Sequence, residues 1–421
     1  MAQITLEDIS LKNCVRTERV KALHKAYFKS MPELCVERPR MVTEISDEMG
    51  LFGKDQITIL EKAKMYRKIL NDRTPIVNQT LAYEKGKDGK EPTSFTIKAQ
   101  SLFAGATTTK FKGVPIYPEF FGLSIWPELW SISTRKSNPF YLDKAAAETL
   151  NYDVFPRWMD CNINELARVK SDKEVGNLPG TDMSLMDIMN LIVFFLDSKP
   201  NCITHTIPNL ERPIEKGLTA MIAEAEAKID GAENPEFYEA IAEVMKGVIE
   251  YSENLSAEAA RLAAEEQDPK RKQELLDMVD IYKLVPANPA TTFREALTTV
   301  WVCWNALHLE NVNIALSLGR MDQYLYKLYR QDIDNGDMKV EEAVELMCCL
   351  WLKIGDHVPL IPEAGEKLFG GSGSNQNITI GGVLDHPDDP TNPDKNIDAV
   401  NDLSYVILRS IELMQLRDPN L

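Results

Sequence analysis

The sequence predicts an α/β protein with a large helical part, and three observations carry that prediction. Residues 213–309 are rich in Ala, Glu and Leu, with apolar positions three and four apart. The last third holds two short apolar runs, 313–318 (NIALSL) and 377–383 (NITIGGV), separated by a helical pattern. Strand, helix, strand is the unit that builds parallel sheets, because the helix covers the sheet on the return. Between them and the N-terminus, residues 103–140 are cut by Pro115, Pro118, Pro127 and Pro139, which forbids long helices there.

Taken in order, residues 60–70 (LEKAKMYRKIL) predict a helix, and 84–94 (EKGKDGKEPTS) an exposed loop. A helix is expected from Pro213 through about residue 229, proline being tolerated in a first turn. A second spans 235–266, with Phe237, Ile241, Val244, Val248 and Tyr251 on one stripe. A third opens at Asp268-Pro269 and closes before Pro286; a fourth starts at Thr292, whose partner Glu295 completes a capping box. Val340, Val344, Met347 and Trp351 mark the helix between the strands, and residues 400–416 a closing one. The chain divides into 1–212 (helices and proline-rich connections), 213–310 (helical layer) and 311–421 (strands with their helices).

Composition excludes several functions. With 47 Lys and Arg against 64 Asp and Glu, the net charge is −17, which repels phosphate backbones and anionic lipid. No nucleic-acid or membrane partner is expected, and the ligand should be a small molecule. The longest apolar run, 297–309, falls short of the ~18 residues a spanning helix needs. Seven cysteines without a C-x-x-C pair, behind an acidic start, point to a reducing cytoplasm. None of the five histidines stands at a metal-ligand spacing, so no metal site is expected. The glycine-rich 369–375 (FGGSGSN) lacks a P-loop's Gly-Lys-Ser and reads as a turn entering a strand. Cys303, Cys348 and Cys349 sit in apolar helical runs and read as core.

Several segments carry a family resemblance. They are 36–44 (VERPRMVTE), 103–119 (FAGATTTKFKGVPIYPE), 286–293 (PANPATTF), Glu310, 317–324 (SLGRMDQY), 376–383 (QNITIGGV) and 398–404 (DAVNDLS). Their order resembles the pyruvate formate-lyase-like domain of glycyl radical enzymes. The resemblance implies a ten-stranded barrel of two parallel half-sheets, of which this chain would hold the N-terminal helices and the first half-sheet, incomplete. It implies radical cleavage or elimination, such as dehydration, decarboxylation or C–C lysis, on a small polar substrate. The family's Gly-Cys-x-Glu and Arg-Val-x-Gly motifs are absent. Cys35-Val36-Glu37 imitates the first, but Leu34 replaces its glycine, and Cys35 is read as structural, in an N-terminal helical region.

No catalytic residue is therefore assigned, and the chain alone is expected to be inactive and to expose sheet edge that favours aggregation. The chain itself is expected to bind no cofactor. The glycyl radical would lie in a missing C-terminal part, installed by a radical S-adenosylmethionine activase. Expected partners are that activating enzyme and a C-terminal half or a second copy. The resemblance implies three substrate-wall residues: His205, Asn313 and Ser317. A period-two strand puts Asn313, Ala315 and Ser317 on one face. Arg320 and Asp322 are expected to pair as ions at the strand end. The alternative function is a non-catalytic or split-enzyme subunit that keeps the fold without the radical residues.

Overall fold

The computed structural model describes residues 11–421 apart from 55, 87–90, 121, 164, 167, 168, 170–175, 177, 178, 183–205, 314, 315, 364–375, 387, 393 and 394. The principal helices are α1 (Glu18–Lys29), α2 (Glu37–Glu48), α3 (Ile59–Asp72), α4 (Pro235–Glu265), α5 (Pro269–Leu284), α6 (Phe293–Glu310), α7 (Val340–Gly355) and α8 (Asp402–Met414). Each start follows from local chemistry. Thr58 and Thr292 both form capping boxes, with Glu61 and Glu295 respectively. Asn234 and Asp268 accept first-turn amides ahead of Pro235 and Pro269.

One helical expectation needs correction. The stretch from Pro213 is two helices, Glu211–Lys216 and Leu218–Glu226, broken at Gly217. Gly217 has φ +73°, and a Cβ there would lie 2.5 Å from the carbonyl oxygen of Ala287. Backbone crowding from the 286–288 turn, invisible to helical periodicity, imposes the break.

α6 runs through the middle of the core. Trp301 and Trp304 are almost fully buried and stack with ring centroids 5.1 Å apart. Trp301 Nε1 donates to Ala104 O at 2.7 Å, which satisfies a carbonyl of a buried connection. On one side α4 packs between α3 and α5; on the other α7 packs on α8, where Trp351 Nε1 donates to Ser410 Oγ at 2.7 Å.

Sheet structure among the described residues is sparse and mixed, one parallel pair and two antiparallel ones. β1 (Glu33–Cys35) pairs in parallel with β4 (Gly113–Pro115), while β2 (Leu81–Glu84) and β3 (Thr93–Thr96) form a hairpin around the predicted exposed loop. Single parallel bridges extend β1 to Tyr141 and β4 to His357. Cys35 therefore lies on a buried strand, and the expected helical setting is wrong for it; a fully buried three-residue strand leaves no periodicity to read.

The two expected C-terminal strands are neighbours and run in parallel, but they meet through single bonds. Leu318 N donates to Asn377 O (3.2 Å), Thr379 N donates to Gly319 O (3.3 Å), and a bridge joins Arg320 to Thr379. Asn377 is bridged on its other side to Asn420, again in parallel. Further along, β5 (Val383–Leu384) and β6 (Ile397–Asp398) pair antiparallel and exposed.

Candidate functional site at the strand ends

The carboxylate of Asp322, fully buried, organises the end of the 316–320 segment. Its Oδ2 accepts from Gly381 N at 2.7 Å and from Ser404 Oγ at 2.5 Å. Arg320 reaches the same turn from the other side, donating to Gly381 O at 2.5 Å and Val383 O at 3.1 Å. Gln323 Nε2 donates to Ala399 O (2.8 Å), and Asn401 Nδ2 to Asp322 O (2.8 Å). Arg320 and Asp322 thus form no ion pair, contrary to expectation. The Arg320 terminal nitrogens and Asp322 Oδ2 are spent on the 381–404 segment instead, which fixes three sequence motifs against one another.

The last turn of α6 is held in the same manner. Four carbonyls at a helix C-terminus lack intrahelical partners. Here Asn313 Nδ2 donates to Leu307 O at 2.6 Å, Tyr117 Oη to His308 O, and Arg38 to Leu309 O (2.8 Å) and Glu310 O (3.3 Å). The buried Arg38 guanidinium also pairs with Glu119 and lies 4.1 Å from the Tyr117 ring centroid. The 36–44 and 103–119 motifs therefore meet at the point where α6 enters the strand region.

Between these clamps lies a buried polar node that sequence spacing could not reveal. His308 and His357 meet edge to face, centroids 4.5 Å apart, beside Trp304. His308 Nδ1 lies 2.9 Å from Trp304 O and acts as donor there, leaving Nε2 to accept from Gln376 Nε2 at 3.3 Å. Trp304 Nε1 donates to Gln376 Oε1 at 3.4 Å, which sets that amide's orientation. His357 Nδ1 lies 2.9 Å from Thr107 Oγ1. Burial pushes the His308 pKa down to about 4, against weaker opposing bonds to Trp304 O and the Asn313 backbone. Burial first, then His308 itself, pushes His357 well down. Both rings are neutral hydrogen-bonding joints; neither is a solvent-exposed acid or base.

Of the expected wall residues, His205 and the companion Ala315 lie outside the described residues. Asn313 is buried, with its amide on the end of α6, and Ser317 is partly exposed, donating to Asn377 O at 3.1 Å. Ser317 thereby joins the segment that leads to Asp322 to Asn377. Burial pushes Cys303 and Cys349 up to about 12 and Cys348 further, and Cys35 Sγ rests 3.4 Å from Thr109 Oγ1. Among the described residues no group of three or more His, Cys, Asp or Glu is placed to hold a metal. No described helix is long and apolar enough to cross a membrane.

Gln376 lay inside a motif already singled out, so its importance was signalled. His308 and His357, 49 positions apart, gave no signal beyond their places at the ends of buried helical runs.

Fold and site together define a helix-wrapped, mixed α/β protein whose parallel strand segments are pinned by nonlocal side-chain bonds. Residues 13–421 match the family described as pyruvate formate lyase-like. The chain belongs to that family, within the glycyl radical enzymes. It is 30% identical over 320 residues to isethionate sulfite-lyase of Oleidesulfovibrio alaskensis, covering 73% of this chain and 37% of that protein. It is 27% identical to the probable dehydratase YbiW of Escherichia coli, covering 98% of this chain and 47% of the relative. A glycyl radical enzyme from Archaeoglobus fulgidus superimposes with a TM-score of 0.78 at 28% identity, covering 96% of this chain and 47% of that structure. The chain spans less than half the length of these relatives.

Proposed function

We propose that this chain forms the N-terminal helices and first half-sheet of a glycyl radical enzyme barrel. Its reaction is radical cleavage or elimination on a small polar substrate. The observation that carries this reading is the joint clamp of three motifs, 319–323, 381–383 and 401–404, on the buried Asp322 carboxylate. It fixes the strand ends from which a substrate wall is built. The names of the relatives, sulfite-lyase and dehydratase, support elimination as the class of reaction.

In this reading His205, Asn313 and Ser317 line that wall, and the reactive thiol and radical-bearing glycine belong to a second part of the barrel. The thiols of Cys303, Cys348 and Cys349, which burial pushes up, suit structural places. The chain's own work is to bind and orient substrate and to keep water out. Enclosure matters because a carbon or sulfur radical is quenched by dissolved oxidants and thiols, so an apolar shell such as that around α6 preserves it.

The test is anoxic co-expression with a C-terminal half taken from a relative and a radical S-adenosylmethionine activase. A glycyl doublet in electron paramagnetic resonance, with turnover of a small hydroxylated or sulfonated substrate, is the expected result. A folded complex that is given both partners and yields neither signal nor turnover overturns the reading in favour of a non-catalytic subunit.

A further inference from the structure

A small polar cavity lies where the last turn of α7 meets the 77–101 segment. Its volume is about 20 Å³, and its polar lining is Gln79, Gln100, Ser101, Lys353 and Asp356. Lys353 is 5% exposed and Asp356, the C-cap of α7, is 7% exposed, so two opposite charges are carried into the interior.

Neither charge is matched directly. Lys353 Nζ has one long bond, to Gln79 Oε1 at 3.5 Å, and stands 5.7 Å from the Trp301 ring centroid. Asp356 Oδ1 is buried without a partner, whereas Oδ2, also unbonded among the described residues, keeps accessible surface. Lys112, the other cation facing Asp356, spends its ammonium on Tyr27 O at 3.3 Å and Ser30 O at 3.1 Å. Lys353 and Asp356 form no ion pair, yet each feels the other. Burial pushes Lys353 down and Asp356 up, and each partly opposes the shift of its neighbour.

We propose that the cavity binds one ordered water, which accepts from the Lys353 ammonium and donates to Asp356 Oδ2. A polar cavity of more than ~10–15 Å³ with two to four hydrogen-bonding groups holds a water. Opposite charges too far apart to touch are joined by such a water, and each would otherwise stay buried and unpaired. Ser101 Oγ, which accepts from Phe103 N at 3.1 Å, has its hydroxyl proton to offer as a further bond. The volume is too small for a larger ligand, and the carboxylate repels an anion. The bridge fastens the end of α7 one residue before His357, whose backbone bridges Gly113 of β4, and so steadies the chain at the histidine node. It does not depend on the barrel reading.

A crystal structure of the chain that resolves ordered water tests the site. The expected result is one water about 2.7–3.2 Å from both Lys353 Nζ and Asp356 Oδ2. An empty cavity, a bound anion, or direct contact between the two side chains overturns the proposal. In denaturant unfolding, Lys353→Met should lower the folding equilibrium constant roughly tenfold or more, because it leaves a buried carboxylate unmatched. Adding Asp356→Asn to it should recover most of that loss, and no recovery would count against the bridge. If Lys353→Met does not fold, the structure of the parent chain decides alone.

Discussion

Between Pro235 and Glu310 each helix starts on a side chain within a few residues of it, whereas the 317–323 segment is joined to 377–404 by bonds between residues some 60 to 80 positions apart. Thr292 caps α6 through Glu295, three residues on. Asp322, by contrast, holds Gly381 at a separation of 59 and Ser404 at 82. Local capping favours a helix from residues near in sequence, whereas bonds between distant segments form only once the fold brings those segments together. The helical layer is thus a support, and the strand ends are its dependants.

Removing the distant bonds should have the largest effects. Arg38→Ala uncaps two carbonyls of α6 and leaves the partly buried Glu119 without its guanidinium. A loss of about 3–5 kcal/mol in denaturant unfolding is expected, the cost of breaking a buried pair from one side. Asp322→Ala strands Gly381 N and the Ser404 hydroxyl and should cost about 3 kcal/mol. A change below about 0.5 kcal/mol in either variant, the range of ordinary surface substitutions, would break the comparison.

Acid should probe the histidine node next. His308 falls from its ordinary value of 6.5 to about 4 in the folded chain, and His357 is shifted the same way. The unfolded chain therefore binds more protons in that window, and stability declines as pH falls from about 6.5 towards 4. Chemical denaturation midpoints across this range should fall in the parent and flatten in His308→Gln. An unchanged slope in the variant would remove His308 from the account.

The smallest effect belongs to the local region. Thr292→Ala loses one cap of an otherwise well-packed helix and should cost about 1 kcal/mol. A cost as large as that of Asp322→Ala would erase the distinction between local and distant control.

That distinction also explains what could be read from the sequence. The starts of α5 and α6 were legible because Asp268-Pro269 and Thr292 announce them within one turn. The family was legible because its motifs are the clamp residues themselves, Arg38, Glu119, Arg320, Asp322, Gln376 and Ser404 among them. The partners of those residues were not legible. Arg320 and Asp322 looked like an ion pair at i, i+2, and only the fold brings Gly381 and Val383 between them. The meeting of His308 with His357, and the break at Gly217 under Ala287, are likewise decided by chain segments remote in sequence.

Hydrogen–deuterium exchange of the chain, alone and with a C-terminal half supplied by a relative, tests the central claim most directly. If these strand ends are one side of a shared barrel, amides in 316–320 and 376–383 exchange fast in the chain alone and become protected on addition of the second half. Those of α4 and α5 are protected in both states. Equal protection of the strand ends with and without the second half, under conditions where the two parts bind, would contradict the account.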